Sequence, residues 1–260
     1  MTAEQIFERR NEIFAFLRQA SDAILHIYNN PEFTEKTAKN DGSPLTLADK
    51  LSHQIMEKNL LTFSPDLPIL SEEGANISYE IRKNWQSYWC LDPLDGTKEF
   101  LKRNGEFAIC LALVSGKEAV AGFIAAPVSG EIFYGFKGAG AFKIDKNDNE
   151  VRINTSQKTH HLRAVGSRSH ASKEDEIFLA QFSIETFLAK GSALKFCAIA
   201  EGEADFYYRS GPTMEWDTAA GQAILEAAGG KMLFLDGEHF THNKENLLNP
   251  SFYCLAAKKI

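Results

Sequence analysis

Long apolar runs are missing from this sequence. No stretch approaches the ~18 residues of a membrane-spanning helix, and the opening segment MTAEQIFERRNE lacks the apolar centre of a secretory leader. The expectation is a protein of the cytoplasm. Cysteine is scarce: Cys90, Cys110, Cys197 and Cys254 are scattered, each in or beside an apolar stretch, with no C-x-x-C pair. That pattern predicts buried, reduced thiols in a reducing compartment. Positive charge is also short. A net charge of −7 argues against a general nucleic-acid surface, which needs a basic stripe to displace counterions. A small anionic ligand is still allowed, because a bound cation reverses the local field. What remains is ordinary globular composition, 44% hydrophobic and 24% charged over 260 residues, enough for one large domain or two coupled halves.

Along the chain, Ile13, Leu17, Ala20, Ile24 and Ile27 recur at helical spacing and predict an amphipathic helix over 4–28. A second helix is expected from about Thr46, with Leu51, Ile55 and Met56 inward. The polar stretch KTAKNDGSPLT between them reads as a loop. From 107 to 144, short β-rich runs broken by glycine and proline predict an antiparallel meander. The charged turn DKNDNE (145–150) is the best internal boundary. Beyond it strands and helices alternate: LRAVGS, a helix from about Lys173, a helix through SALKFCAIAEG, the strand ADFYY, the helix DTAAGQAILEAAGG, and closing strands MLFL and FYCLAA. The expectation is two tightly coupled halves: 1–150, α+β, and 151–260, α/β.

One stretch stands out. In WCLDPLDGTKEF an apolar run leads straight into Asp92 and Asp95, three residues apart. Two such carboxylates repel unless something positive lies between them. Further carboxylates follow apparent strand or loop ends: Glu72 in LSEEG, Asp49 in LTLAD and Asp217 in EWDTAAG. Magnesium takes hard oxygen ligands and keeps waters for a phosphate to displace. Asp92 and Asp95 are spaced to bridge two ions, the Leu94 carbonyl adds a ligand, and Glu72 and Asp217 complete the set. Gly96 and Thr97 then open a helix whose free amides favour a phosphate oxygen. Each feature also has a plainer reading: Asp217 as a helix cap, Thr46 with Asp49 as a capping box, Glu72–Glu73 as a solvated turn, and Asp92 and Asp95 as turn formers. Their joint occurrence favours the metal.

SEEG, LDPLDGTKEF and WDTAAGQAILEAAGG, in this order, resemble the signature segments of the inositol monophosphatase superfamily of magnesium-dependent, lithium-sensitive phosphatases. Lys98-Glu99-Phe100, KRNGEF, GSRSH, GSALKFCAIAEGEADFY and GPTMEWDTAAG bring the chain nearer one branch, the 3′(2′),5′-bisphosphate nucleotidases of the CysQ type. The resemblance implies a layered αβαβα sandwich, α+β in class, and two or three magnesium ions. It implies metal ligands at Glu72, Asp92, Leu94 (through its carbonyl), Asp95 and Asp217. Asp49 and Thr97 would orient and deprotonate the attacking water, with Glu72 helping to aim it. Substrate contacts are implied at Gly96, Thr97, Lys98, His170, Ser192, Lys195 and Arg209. Ala193 stands where the branch usually has a second serine. Some relatives also associate with the cytoplasmic face of the inner membrane.

The expected reaction is removal of the 3′-phosphate of adenosine 3′,5′-bisphosphate, a recycling step beside sulfate assimilation, with the 3′-phosphate of 3′-phosphoadenylyl sulfate also cleaved. Lys195, Arg209 and His170 supply positive charge for the second phosphate; their plainer reading is as surface charges. The alternatives at this stage are an inositol or sugar monophosphatase, an aspartyl-phosphate phosphatase and a cation-responsive binding module. No obligate protein partner is implied.

Overall fold

The computed structural model describes residues 2–30, 36–38, 44–74, 77–167 and 173–256. The apolar period near the N-terminus gives two helices, α1 (Ala3–Glu8) and α2 (Arg10–Asn29), which corrects the expectation of one helix over 4–28. The break falls at Arg9. Its side chain reaches the Phe63 carbonyl (3.1 Å) and lies over the Phe63 ring, so the chain is pinned where it turns. The stripe itself is as expected, with Ile13, Leu17, Ala20, Ile24 and Ile27 all buried. The segment read as a loop contains two short antiparallel strands, β1 (Lys36–Ala38) and β2 (Pro44–Thr46), whose pairing satisfies backbone groups that a loop would leave to water. Helix α3 (Leu47–Phe63) follows at once.

Seven strands in chain order form the first sheet: β3 (Ile69–Ser71), β4 (Ser87–Asp95), β5 (Ala108–Ser115), β6 (Glu118–Ala126), β7 (Glu131–Phe136), β8 (Gly140–Ile144) and β9 (Glu150–Ile153). Only β3 and β4 run parallel. Two short helices interrupt the order, α4 (Tyr79–Arg82) before β4 and α5 (Thr97–Lys102) after it. The turn 145–149 connects β8 to β9 within this sheet. Alternation along each strand serves two cores. Trp89, Leu91, Leu111 and Phe123 pack with α2 and α3, while Tyr88, Cys90, Cys110 and Ile124 face the opposite side.

That opposite side is covered by α7 (Leu194–Ala200) and α8 (Glu215–Ala227). Helix α8 sits unusually close to the sheet. A Cβ at Gly122 would fall 2.3 Å from the Ala220 carbonyl, and one at Gly135 would fall 2.8 Å from the Ile224 Cα. Beyond the helices lies a five-stranded sheet in the order β11 (Ile184–Ala189), β10 (Leu162–Gly166), β12 (Phe206–Arg209), β16 (Phe252–Leu255), β14 (Lys231–Phe234). Strands β13 (Thr213–Met214) and β15 (Leu248–Asn249) pair separately. On the far face α6 (Lys173–Leu179) stacks Phe178 on Tyr208 at 4.2 Å. The layers therefore run α2/α3, sheet, α7/α8, sheet, α6, the αβαβα sandwich. Strand β11 has no counterpart in the sequence reading. It is a largely exposed edge held by parallel pairing to β10, and its sequence IETFLA lacks the apolar/polar alternation that marks a strand. Among the described residues no helix is long and apolar enough to cross a membrane.

Candidate active site

Strand β4 is regular up to Asp92 and irregular after it. Asp92 faces Cys110 on β5, and the next pair in register is Asp95 with Ala108. Pro93 has no N–H for the ladder, so Pro93 and Leu94 bulge between the two aspartates. Asp92 is buried, and its Oδ1 accepts the Leu94 amide at 2.9 Å. Gly96 then turns the chain with φ +90°, and a Cβ there would meet Ser192 Cβ at 3.1 Å and the Glu106 carbonyl at 3.2 Å. Both the backbone angle and the tight space call for glycine. Helix α5 starts at the next residue, Thr97.

The Thr46–Asp49 capping box holds, whereas Asp217 is corrected from N-cap to the third helical residue, bonding back to the N-cap Met214; each aspartate keeps a second carboxylate oxygen beyond that bond. The Asp49 Oδ2 accepts the Thr46 amide (2.8 Å) and hydroxyl (2.5 Å), while Oδ1 accepts from Thr97 Oγ1 at 3.3 Å. Asp217 is the third residue of α8, and its Oδ2 accepts the Met214 amide at 2.8 Å. The start of α8 is held from below by Glu215. This fully buried carboxylate accepts the Asn243 and Lys244 amides (2.7 and 2.8 Å) and the Lys244 Nζ (2.7 Å). Glu72 and Glu73 lie in a single 3-10 turn directly after β3, half-buried.

These carboxylates feel one another. Burial, and then the charges of Glu72, Asp95 and Asp217, push the Asp92 carboxyl well above the ordinary carboxylate range. The packed surroundings of Asp217, and then Asp95, push Asp217 up in the same way. Such convergence of hard oxygen donors fits a divalent cation such as magnesium. It is not a closed cage: among the described residues, no three His, Cys, Asp or Glu side chains stand ready to hold a metal ion. Asp95 Oδ2 is taken by the Ser192 hydroxyl (2.6 Å) and the Ala193 amide (2.5 Å), and Asp217 Oδ2 by Met214.

Asp95 and Asp217 line a cavity of about 370 Å³ together with Gly96, Lys98, Ser192, Lys195 and Arg209. Asp49, Glu72, Asp92 and Thr97 are not in its lining. His170 lies outside the described residues. Lys195 is 6% exposed, which corrects its reading as a solvated helix lysine. Its Nζ donates to the Ser192 carbonyl at 2.6 Å and lies 5.6 Å from the Tyr207 ring centroid. Burial pulls its pKa down to about 8, against the opposing charge of Asp95. Arg209 reaches Ser167 Oγ and the Pro212 carbonyl with its terminal nitrogens, while its buried Nε has no hydrogen-bond partner among the described residues. Ala193, where a serine was expected, contributes its amide to Asp95 instead. The sequence reading missed Glu106, also in the lining, whose Oε2 accepts the Gly191 amide at 3.0 Å. Only its place in KRNGEF marked that segment, and a partner 85 residues away in sequence leaves no local pattern.

With this geometry in place, the comparisons are specific. The model of the inositol monophosphatase family matches residues 9–259. A 3′(2′),5′-bisphosphate nucleotidase CysQ from Salmonella typhimurium is 39% identical over 242 residues, 93% of this chain and 97% of that protein. The crystal structure of CysQ from Bacteroides thetaiotaomicron is 38% identical, with a TM-score of 0.83 over 96% of this chain and 98% of that one. An inositol monophosphatase/NADP phosphatase complexed with NADP and Ca2+ is 21% identical and shares the fold, with a TM-score of 0.80 over 100% of this chain and 93% of that one. This chain belongs to the inositol monophosphatase family.

Proposed function

We propose that this protein is a magnesium-dependent 3′(2′),5′-bisphosphate nucleotidase that converts adenosine 3′,5′-bisphosphate to AMP and phosphate. It cleaves the 3′-phosphate of 3′-phosphoadenylyl sulfate in the same way, and so recycles a by-product of sulfate assimilation. The observation that carries this reading is the presence of opposite charges in one cavity, with the carboxylates Asp95 and Asp217 and the cations Lys195 and Arg209 all in its lining. A substrate with two separated phosphates uses both, whereas a neutral polyol phosphate uses only the first.

Glu72, Asp92, the Leu94 carbonyl, Asp95 and Asp217 would hold magnesium ions, which when bound lower the pKa of water and neutralise phosphate charge. The chain's own groups do the rest. Thr97 Oγ1 donates to Asp49 Oδ1, so its lone pairs are free to accept from a water and aim it at phosphorus. Proton transfer through the Thr97 hydroxyl ends on Asp49. Glu72 helps to orient the same water, and the Gly96 and Thr97 amides hold phosphate oxygens. As the new P–O bond forms, the bond to O3′ breaks and the leaving ribose oxygen takes a proton from solvent water. Lys98, His170 and Ser192 border the nucleotide, while Lys195 and Arg209 grip its second phosphate.

The halves 1–150 and 151–260 work as one unit in this reading. Support comes from Ser192 and Ala193, whose bonds to Asp95 cross the boundary. The four described cysteines are buried and unpaired, which suits a reducing cytoplasm. A cavity of nucleotide size on an acidic chain favours a small-molecule substrate. Phosphate release from adenosine 3′,5′-bisphosphate and from inositol 1-phosphate, each with and without magnesium, tests the proposal. The bisphosphate is expected to have the far higher kcat/KM. Equal kcat/KM for the two substrates overturns the nucleotidase reading, and full turnover in excess chelator overturns the metal.

A further inference from the structure

One face of α3 touches two of the segments that bear acidic groups, the β4 bulge and the Glu72 turn, and also Thr97. Asp49, Ser52 and His53 are spaced i, i+3 and i+4 and so project from the same side of the helix. Asp49 accepts from Thr97, just beyond the β4 bulge. Ser52, with no exposed surface, donates its hydroxyl to the Pro93 carbonyl at 2.7 Å. His53 Nδ1 and the buried Ser71 Oγ hydrogen-bond at 3.0 Å, one residue before Glu72. The His53 Nε2 faces the Glu57 carboxylate at 3.8 Å. That favours the ring proton on Nε2 and leaves Nδ1 to accept from Ser71.

We infer that Ser52 and His53 are positioning residues: α3 sets where the Asp92–Asp95 bulge and the Glu72 turn stand relative to Thr97. Neither element is fully paired within its own sheet. The bulge interrupts the β4–β5 register, and the Pro93 carbonyl at its crest is satisfied by a side chain from outside the sheet. Strand β3 is three residues long and an edge of its sheet, paired to β4 alone. Short edges and bulges move readily unless another element holds them. Helix α3 is seventeen residues long and capped, a rigid body by comparison. Groups that orient metal-binding carboxylates from behind change affinity or turnover strongly when removed.

The inference rests on the reading of Asp92, Asp95 and Glu72 as metal ligands, and the test separates the two. Magnesium binding is measured by isothermal titration calorimetry, and turnover of adenosine 3′,5′-bisphosphate by phosphate release, for the wild type, Ser52→Ala, His53→Leu and His53→Asn. Asparagine places a polar atom near Nδ1 and keeps the bond to Ser71; leucine keeps the bulk and loses it. Ser52→Ala and His53→Leu are expected to weaken magnesium binding and lower kcat by about 10- to 100-fold. KM for the nucleotide should change less than about twofold, since Lys195 and Arg209 are untouched. His53→Asn should recover most of the loss. Should Ser52→Ala unfold, the leucine–asparagine pair decides alone. Wild-type magnesium binding and turnover in both Ser52→Ala and His53→Leu overturn the inference, as does a His53→Asn variant as impaired as His53→Leu. A wild type that neither binds magnesium nor needs it overturns the metal reading, and kcat in the leucine and asparagine variants still decides the role of α3.

Discussion

The two walls of the cavity are built in opposite ways. The acidic wall is assembled from irregular backbone: the Pro93 bulge and the left-handed Gly96 flank Asp95, and the first turn of α8 carries Asp217, while the Glu72 turn and the start of α3 lie outside the lining. The cationic wall comes from regular elements, with Lys195 in the first turn of α7 and Arg209 at the end of β12. Its charges are placed by burial, Lys195 against Tyr207 and the Ser192 carbonyl. Irregular backbone lets carboxylates from distant segments converge, which regular periodicity would keep apart. The regular helix instead holds Lys195 in a dry setting, where it acts strongly on an anion, while Arg209 stands half-buried at the end of its strand. The acidic wall should therefore govern the chemical step for every monoester, and the cationic wall should govern the choice among them.

The largest test of that division is Asp95→Asn. It removes one charge from a cluster that already pushes Asp92 and Asp217 upward, so thermal stability should hold or rise slightly. Phosphate release should fall by about 1,000-fold on the nucleotide and on a simple monoester alike. A loss confined to the nucleotide would break the comparison. Thr97→Ala should act next most strongly, lowering kcat about 100-fold with KM nearly unchanged. Asp49→Asn should behave similarly in steady-state kinetics, and the double variant should lose much less than the product of the two effects. A rise in KM without a fall in kcat would make Thr97 a binding group instead.

The smallest effect comes from the opposite wall. With its pKa near 8, Lys195 is charged below that pH and neutral above it. KM for the bisphosphate should therefore rise by up to roughly tenfold between pH 7 and 9, while KM for a simple monoester stays level. Lys195→Ala should show the high KM at both pH values, so the pH profile of the variant is flat over this range. A profile unchanged by the substitution would place the titrating group elsewhere.

Asp49 and Asp217 illustrate how far the sequence could be read. Each sits where a helix begins, and a cap was the simplest account of each. Both accept the N-cap amide, and both also belong to the acidic group, because a carboxylate has two oxygens and the helix takes only one. For Lys195 the sequence offered two readings, a substrate contact and a plainer surface charge, and its burial against Tyr207 of β12 rules out the second.

By itself the sequence determined most of the longer helices and strands, the helical stripe, the meander and the residue types at the acidic site. Those depend on local periodicity and on short motifs, which chain order preserves. Only the tertiary structure decided that Ser192 and Ala193 close on Asp95, that Glu106 holds Gly191, and that one face of α3 reaches both Pro93 and Ser71. It also decided the exposed edge strand β11 and the break at Arg9. Each of these is fixed by a partner far away in the chain, and a hydrogen bond across such a separation leaves no periodic trace in either segment.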